Sequence, residues 1–236
     1  AFNKYIELMA ILKVKGSDET IEVKNVFCIA KNYLDHINEM NIPGLDNSVP
    51  KTPVIFLKPS TAIESLNNTV SIPLVDGEAI SDDLQNEVEL VIVVGSDGDD
   101  IPEEKAMEYI YGYAVGIDFT LRDIQTEMKK QGKPWAVAKG FKTSSPVSEV
   151  VKKESVSDIQ SLDIKLAVNG DGKQSGNTSQ MIFNVGFIIH YLSSVFGLRK
   201  GDIIFTGTPA GVSRLVKGDS VTAEIQHIGK LDVKIA

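Results

Sequence analysis

Apolar residues in this chain gather in short runs broken by glycine, proline and acidic turns, a strand-rich pattern. Strands are predicted over residues 6–12 and 20–30, around the turn Lys15-Gly16-Ser17-Asp18. Further strands are predicted over 53–60, ending in a lysine and a proline, over 69–75 and 87–95, and over an apolar segment from Tyr113 that carries Asp118 at its exit. Residues 162–168 alternate and run into Asn169-Gly170-Asp171-Gly172, a hairpin signal. A strand leading into a glycine-rich loop follows at 198–212, and a closing hairpin at 221–225 and 231–235. Helical spacing of Leu34, Ile37 and Met40 predicts a short helix over 30–40. Pro102 is expected in the first turn of a helix over 103–109. Thr120 and Asp123 have capping-box spacing, which predicts a helix through Lys130 closed by Gly132 and Pro134. A last helix is predicted over 183–196, closed by Gly197. No repeat or linker interrupts the pattern, so residues 1–236 are expected to form a single domain with many strands and three or four short helices.

The strand over 87–95 opens with two carboxylates one residue apart. Residues i and i+2 of a strand point to one side, so Glu87 and Glu89 share a face and repel each other. A divalent cation relieves that repulsion, because hard cations take carboxylate oxygens. Asp118 is a candidate third ligand. The competing reading is a solvated strand end, since charges are usually exposed.

His36 and Glu39 are i and i+3 on the short helix and so are neighbours. The loop after them carries Pro43, Gly44, Asp46, Asn47 and Pro50, so helix and loop, about 31–51, read as a candidate lid that excludes water from a site. The plainer alternative is a surface helix with a routine polar pair. Arg122 and Gln125 share the first turn of their helix, and helix amino termini favour anions. The region beside Asp118 therefore suits a cation and, next to it, a carboxylate ligand. Lys139 lies among small residues in an apolar stretch, a less solvated setting than that of Lys129 or Lys130. Lys58 reads equally as a solvated strand end or an anion contact. The loop Thr206-Gly207-Thr208-Pro209-Ala210-Gly211-Val212 lacks the lysine and hydroxyl residue of a P-loop, but glycine lets its N–H groups approach an anion. His190 reads as a structural or surface histidine.

Charge narrows the function class. The 236 residues carry 24 basic and 32 acidic side chains, a formal net charge of −8, without a basic cluster. Such a chain is a poor candidate for nucleic acid or anionic membrane. No apolar run approaches the ~20 residues of a membrane span. One cysteine, Cys28, allows no intrachain disulfide and fits a reducing compartment, and its apolar surroundings favour a buried, inert thiol. A cytoplasmic location is expected, or a mitochondrial one if a transit segment was removed.

Six segments taken together resemble the fumarylacetoacetate hydrolase family, in its short branch of acylpyruvases and oxaloacetate decarboxylases. They are Asn32-Tyr33-Leu34-Asp35-His36, Phe56-Leu57-Lys58-Pro59-Ser60, Glu87-Val88-Glu89-Leu90, residues 116–123, Ala138-Lys139-Gly140-Phe141, and residues 201–212. They run in family order over nearly the whole chain. The resemblance implies an α+β, strand-rich mixed β-roll with a short lid helix, usually a homodimer. It implies Mg2+ or Mn2+ on Glu87, Glu89 and Asp118, and a general-base dyad of His36 and Glu39. It further implies that Lys139 stabilises developing negative charge, that Arg122 and Gln125 face the substrate, and that Gly207 and Thr208 bind its carboxylate end. Two positions depart from the family pattern: Ala30 stands where glycine is usual, and Gln85-Asn86 precede Glu87 where histidine is frequent.

The implied activity is metal-dependent cleavage of a C–C bond in acylpyruvates, decarboxylation of oxaloacetate, or both, through a pyruvate enolate. An isomerase, tautomerase or dehydratase of a 2-oxo acid on the same scaffold is the alternative, and relatives of that kind often alter the lid dyad. A non-catalytic β-rich binding module is a more distant one, and it leaves the ordered motifs unexplained.

Overall fold

The computed structural model describes residues 10–236 apart from Ile42 and Leu45. The first residues of the strand expected over 6–12 lie outside that set, as do two positions of the expected lid loop. The strands that organise the chain are β1 (Val26–Ala30), β2 (Val54–Lys58), β3 (Thr69–Val70), β4 (Val88–Val94), β5 (Ile110–Ile117), β6 (Val151–Lys152), β7 (Asp163–Val168), β8 (Asp171–Asn177), β9 (Ile203–Phe205), β10 (Ser220–Ile225) and β11 (Gly229–Ile235). The helices are α1 (Leu34–Glu39), α2 (Arg122–Gln131), α3 (Ala136–Lys139) and α4 (Val185–Phe196).

Two mixed sheets dominate. One has the order β6-β5-β4-β9-β1-β2, antiparallel except for the β9–β1 pair. The other has the order β8-β7-β10-β11-β3, parallel only at β11–β3. They meet where β4 and β5 pack on β7, β10 and β11. Strand β4 is buried on both faces, so its run of branched aliphatics shows no polar alternation. Val88, Leu90 and Ile92 enter the core shared with the second sheet. Val91 and Val93 point the other way, into a smaller core with Leu12, Val14, Cys28 and Phe205.

Several expectations change in detail. The segment 20–30 divides into Thr20–Glu22, which pairs with Ile11–Lys13, and the central strand β1. The segment 69–75 divides likewise, because Val70 pairs with β11 whereas Leu74–Val75 forms an exposed ribbon with Glu78–Ala79. The capping box at Thr120 does not form. Leu121 takes the N-cap position of α2 without a side-chain bond, the Thr120 hydroxyl donates to the Asp118 carbonyl, and Asp123 accepts from Ser81. Residues 103–109 wind as a 3-10 helix with Pro102 at its N-cap position, and the helix expected over 30–40 begins only at Leu34. The hairpin at Asn169-Gly170 forms, with both residues at positive φ.

Candidate active site

The register of β4 and β5 builds the site. Val88 pairs with Ile117 and Glu89 with Gly116, so Glu87 and Asp118 stand opposite one another just beyond the ladder, joined by the Asp118 N–H to Glu87 carbonyl bond at 2.8 Å. With a period of two, Glu87, Glu89 and Asp118 fall on one face of the sheet. Gly116 lets Val91 and Phe205 pack close beside that face, since a Cβ there would lie 2.5 Å from Val91 Cγ2 and 2.6 Å from Phe205 Cε1. The three carboxylates are buried, at 5%, 3% and 1% exposure, and offer one oxygen each within 4.8 Å of one another. This arrangement could hold a metal ion.

Buried carboxylates need compensation. Lys139 Nζ lies 2.7 Å from both Glu87 and Asp118, Arg122 Nη2 lies 2.5 Å from Glu87, and Lys58 Nζ lies 2.5 Å from Asp118 Oδ1. The Lys58 contact is an ion pair whose angle makes no hydrogen bond, so Asp118 Oδ1 retains accepting capacity. Burial opposes ionisation of Glu87, but Lys139 and Arg122 outweigh it and hold that carboxyl well below the usual range. Burial likewise opposes the Lys139 ammonium, and Asp118 and Glu87 outweigh it, so its pKa is raised. Glu89 is the exception. Its Oε2 accepts the Gly207 N–H at 2.7 Å, and among the described residues no cation pairs with it. Burial, then Asp118 and Glu87, push its carboxyl well above the usual range. The donor set fits a hard divalent cation: oxygen ligands only, unspent lone pairs on Asp118, and one carboxylate with no cation paired to it among the described residues.

Across a cavity of about 360 Å³ stands α1. His36 Nδ1 is 3.3 Å from Glu39 Oε2, and both Glu39 oxygens accept the Gly211 N–H, at 3.0 and 3.1 Å. Burial opposes ionisation of Glu39, but the bonds from His36 and Gly211 overcome it and lower its pKa. The helix is thereby tied to the glycine-rich loop. Asn32, just before it, strengthens the tie by donating to the Phe183 and Thr206 carbonyls and accepting from the Phe183 N–H.

Of the residues singled out from sequence, His36, Glu87, Glu89, Asp118, Arg122, Gln125, Lys139, Gly207 and Thr208 line this cavity, and Glu39 backs it through His36. Arg122 donates to Gln125, Gln85 and Glu87 at once, which fixes the first turn of α2 against the carboxylates. The Gly207 N–H faces Glu89, and Thr208 Oγ1 accepts from Gln174. His190 lies apart, its Nδ1 on the Ile101 carbonyl, and Cys28 is buried with its thiol pKa raised by burial. Sequence reasoning left Lys58 open and assigned nothing to Gln174. Gln174 spans Asn86 and the Val88 N–H on one side and Thr208 and the Pro209 carbonyl on the other. The mixed signal at Lys58, a cation closing an apolar strand, marks burial only once its distant partners Asp118, Ser144 and Ser145 are known. Gln174 carries no sequence signal.

The family model for fumarylacetoacetate (FAA) hydrolase C-terminal matches residues 25–236. Oxaloacetate tautomerase FAHD1, mitochondrial, of Mus musculus is 42% identical over 212 residues, 90% of this chain and 91% of that protein. The protein of the same name from Arabidopsis thaliana is 41% identical over 210 residues, 89% and 90% of the two chains. Among solved structures, fumarylpyruvate hydrolase from Pseudomonas aeruginosa in complex with Mn2+ and pyruvate superposes with a TM-score of 0.87 at 34% identity, covering 97% of this chain and 96% of that one. Family model, relatives and fold agree with one another, and the chain belongs to the fumarylacetoacetate hydrolase family.

Proposed function

We propose that this chain is a divalent-metal-dependent enzyme that cleaves a C–C bond of acylpyruvates by way of a pyruvate enolate. The observation that carries the reading is the buried three-carboxylate face set across one cavity from the His36–Glu39 pair. Glu87, Glu89 and Asp118 would hold the cation, Mg2+ or Mn2+. When bound, it supplies Lewis acidity toward the carboxylate and keto oxygens of a 2-oxo acid. The Mn2+ and pyruvate named for the Pseudomonas aeruginosa structure support that choice of metal and ligand.

The protein's own groups do the rest. Glu39 holds His36 Nδ1, which leaves Nε2 to take a proton from an attacking water and return it to the departing carbon. Gly211 fixes Glu39 in turn, so the base is oriented by a chain of two contacts. Lys139, kept cationic by Asp118 and Glu87, and Gln125 cover the oxygen on which negative charge develops. Arg122, with Gly207 and Thr208, frames the carboxylate end of the substrate. The lid helix closes the cavity to bulk water.

Keto–enol exchange of oxaloacetate is the second reading, and the oxaloacetate tautomerases at 41–42% identity favour it. It passes through the enolate of oxaloacetate itself, with every C–C bond kept, and needs a proton moved between C3 and the 2-oxygen without a water nucleophile. A homodimer is the proposed assembly.

The test is pyruvate release from acetylpyruvate and from oxaloacetate with Mg2+ or Mn2+, and again with EDTA. Chelator-sensitive release supports the proposal. Absence of release from either, with chelator-sensitive keto–enol exchange of oxaloacetate, moves the assignment to tautomerase.

A further inference from the structure

Within the site, cations and carboxylates balance in number. Lys58, Lys139 and Arg122 pair with Asp118 and Glu87, and the third carboxylate, Glu89, has no cation paired with it among the described residues. Lys129 lines the same cavity and stands outside that balance. It lies one turn beyond Gln125 and two turns beyond Arg122, so the three share the face of α2 that looks onto the cavity. It is half-buried, and its Nζ sits 5.2 Å from the centre of the Trp135 ring, which holds the side chain against the cavity wall. Among the described residues no carboxylate pairs with it. Its neighbour Glu127 instead accepts from Gln131. The other charges around the mouth do not supply an anion to it. Lys31 and Lys133 are further cations, and Asp46 is exposed, its carboxylate on the Ser48 N–H and its carbonyl on Lys31. In a chain of net charge −8, a clamped cation without a partner beside a site for anions is selective for charge. Burial, with repulsion from Arg122 and Lys139, lowers its pKa to about 8, the direction expected of an ammonium that lacks its counter-ion.

We infer that Lys129 receives a second, distal carboxylate of the substrate, so that the site prefers 2-oxo diacids to the corresponding monoacids. The inference rests on the function proposed above and adds the substrate class. Lys129 is a specificity residue here; it takes no part in the proton transfers.

Malate and lactate test it, because they are unreactive 2-hydroxy acids that differ in the distal carboxylate. Calorimetric titration of the Mn2+-loaded protein is expected to show malate binding at least about tenfold more tightly than lactate, the scale of one well-placed charge pair. Lys129→Met should bring malate to the lactate level and leave lactate unchanged, whereas Lys129→Arg should keep the preference. A thermal melt confirms that each variant folds. Equal binding of the two acids by the unmodified protein overturns the inference, and so does a preference that survives Lys129→Met. If the preference follows Lys129 but no 2-oxo acid is turned over, the distal-carboxylate site stands and the catalytic proposal fails. If turnover is seen and the preference ignores Lys129, the reverse holds.

Discussion

Glu89→Gln should stabilise the metal-free protein while crippling its hold on metal. Glu89 is 3% exposed, carries one hydrogen bond from Gly207, and faces Glu87 and Asp118 with no cation of its own. A buried polar group so poorly compensated costs about 1–3 kcal/mol, and the isosteric amide removes its charge while its oxygen keeps the Gly207 bond. In a chain of this size 1 kcal/mol corresponds to roughly 2–4 °C, so the metal-free variant should melt roughly 2–12 °C above the unmodified protein. Metal reverses the order. A cation at a hundred times its Kd adds about 2.7 kcal/mol to whichever protein binds it. Differential scanning calorimetry with EDTA and with excess Mn2+ should therefore show the two melting curves crossing.

The pH dependence follows from the raised Glu89 carboxyl. The folded state keeps a proton that the unfolded chain releases, so this group's contribution to stability falls as pH climbs above the ordinary carboxylate range. The advantage of Glu89→Gln in EDTA should widen in that direction, by at most ~1.4 kcal/mol per pH unit. A variant that is less stable than the unmodified protein in EDTA, and equally stabilised by Mn2+, would refute the reasoning.

Other outcomes are expected of the same site. His36→Ala should abolish hydrolysis while metal content stays at the unmodified level, since His36 touches Glu39 and none of the three carboxylates; unchanged turnover sinks the dyad assignment. Gly207→Ala should lower the melting temperature and weaken metal binding together. The residue sits at φ +101° and its new Cβ would meet Asn32 Cβ at 2.7 Å, a strain of about 1–3 kcal/mol before the clash, and its N–H positions Glu89. A melt and a metal titration that match the unmodified protein would remove the loop from the site. Any preference for diacids should fade as pH rises through about 8, because Lys129 must be protonated to hold a carboxylate; a flat profile from pH 7 to 9 would count against it.

Much of the site was written in local spacing. Two glutamates at i and i+2 before an apolar run share a face in any strand, and an acid at the exit of an apolar strand is local too, so the carboxylate face was legible. The pairing of His36 with Glu39 needed one helical turn. Long-range partners were not legible. Lys58 meets Asp118 across 60 positions of sequence, and Asn32 meets Phe183 across 151, through sheet order that spacing does not encode. The Thr120 capping signal failed for a related reason: its hydroxyl turned to the Asp118 carbonyl, inside the site it borders. Lys129 read as a solvated lysine because the Trp135 ring that pins it lies past the end of its helix. The strands expected over 20–30 and 69–75 proved to be divided between separate ladders, a choice made by distant partners and not by their own residues.

The central claim is that this carboxylate face and the groups around it make and hold the enolate of a 2-oxo acid. Deuterium uptake at the methyl carbon of pyruvate in D2O, followed by NMR, tests it without regard to which C–C bond is broken. Exchange well above the buffer rate is expected with Mg2+ or Mn2+, lost on adding EDTA and lost in Glu89→Gln. Exchange at the buffer rate in the metal-loaded protein, or exchange that EDTA leaves untouched, would contradict it.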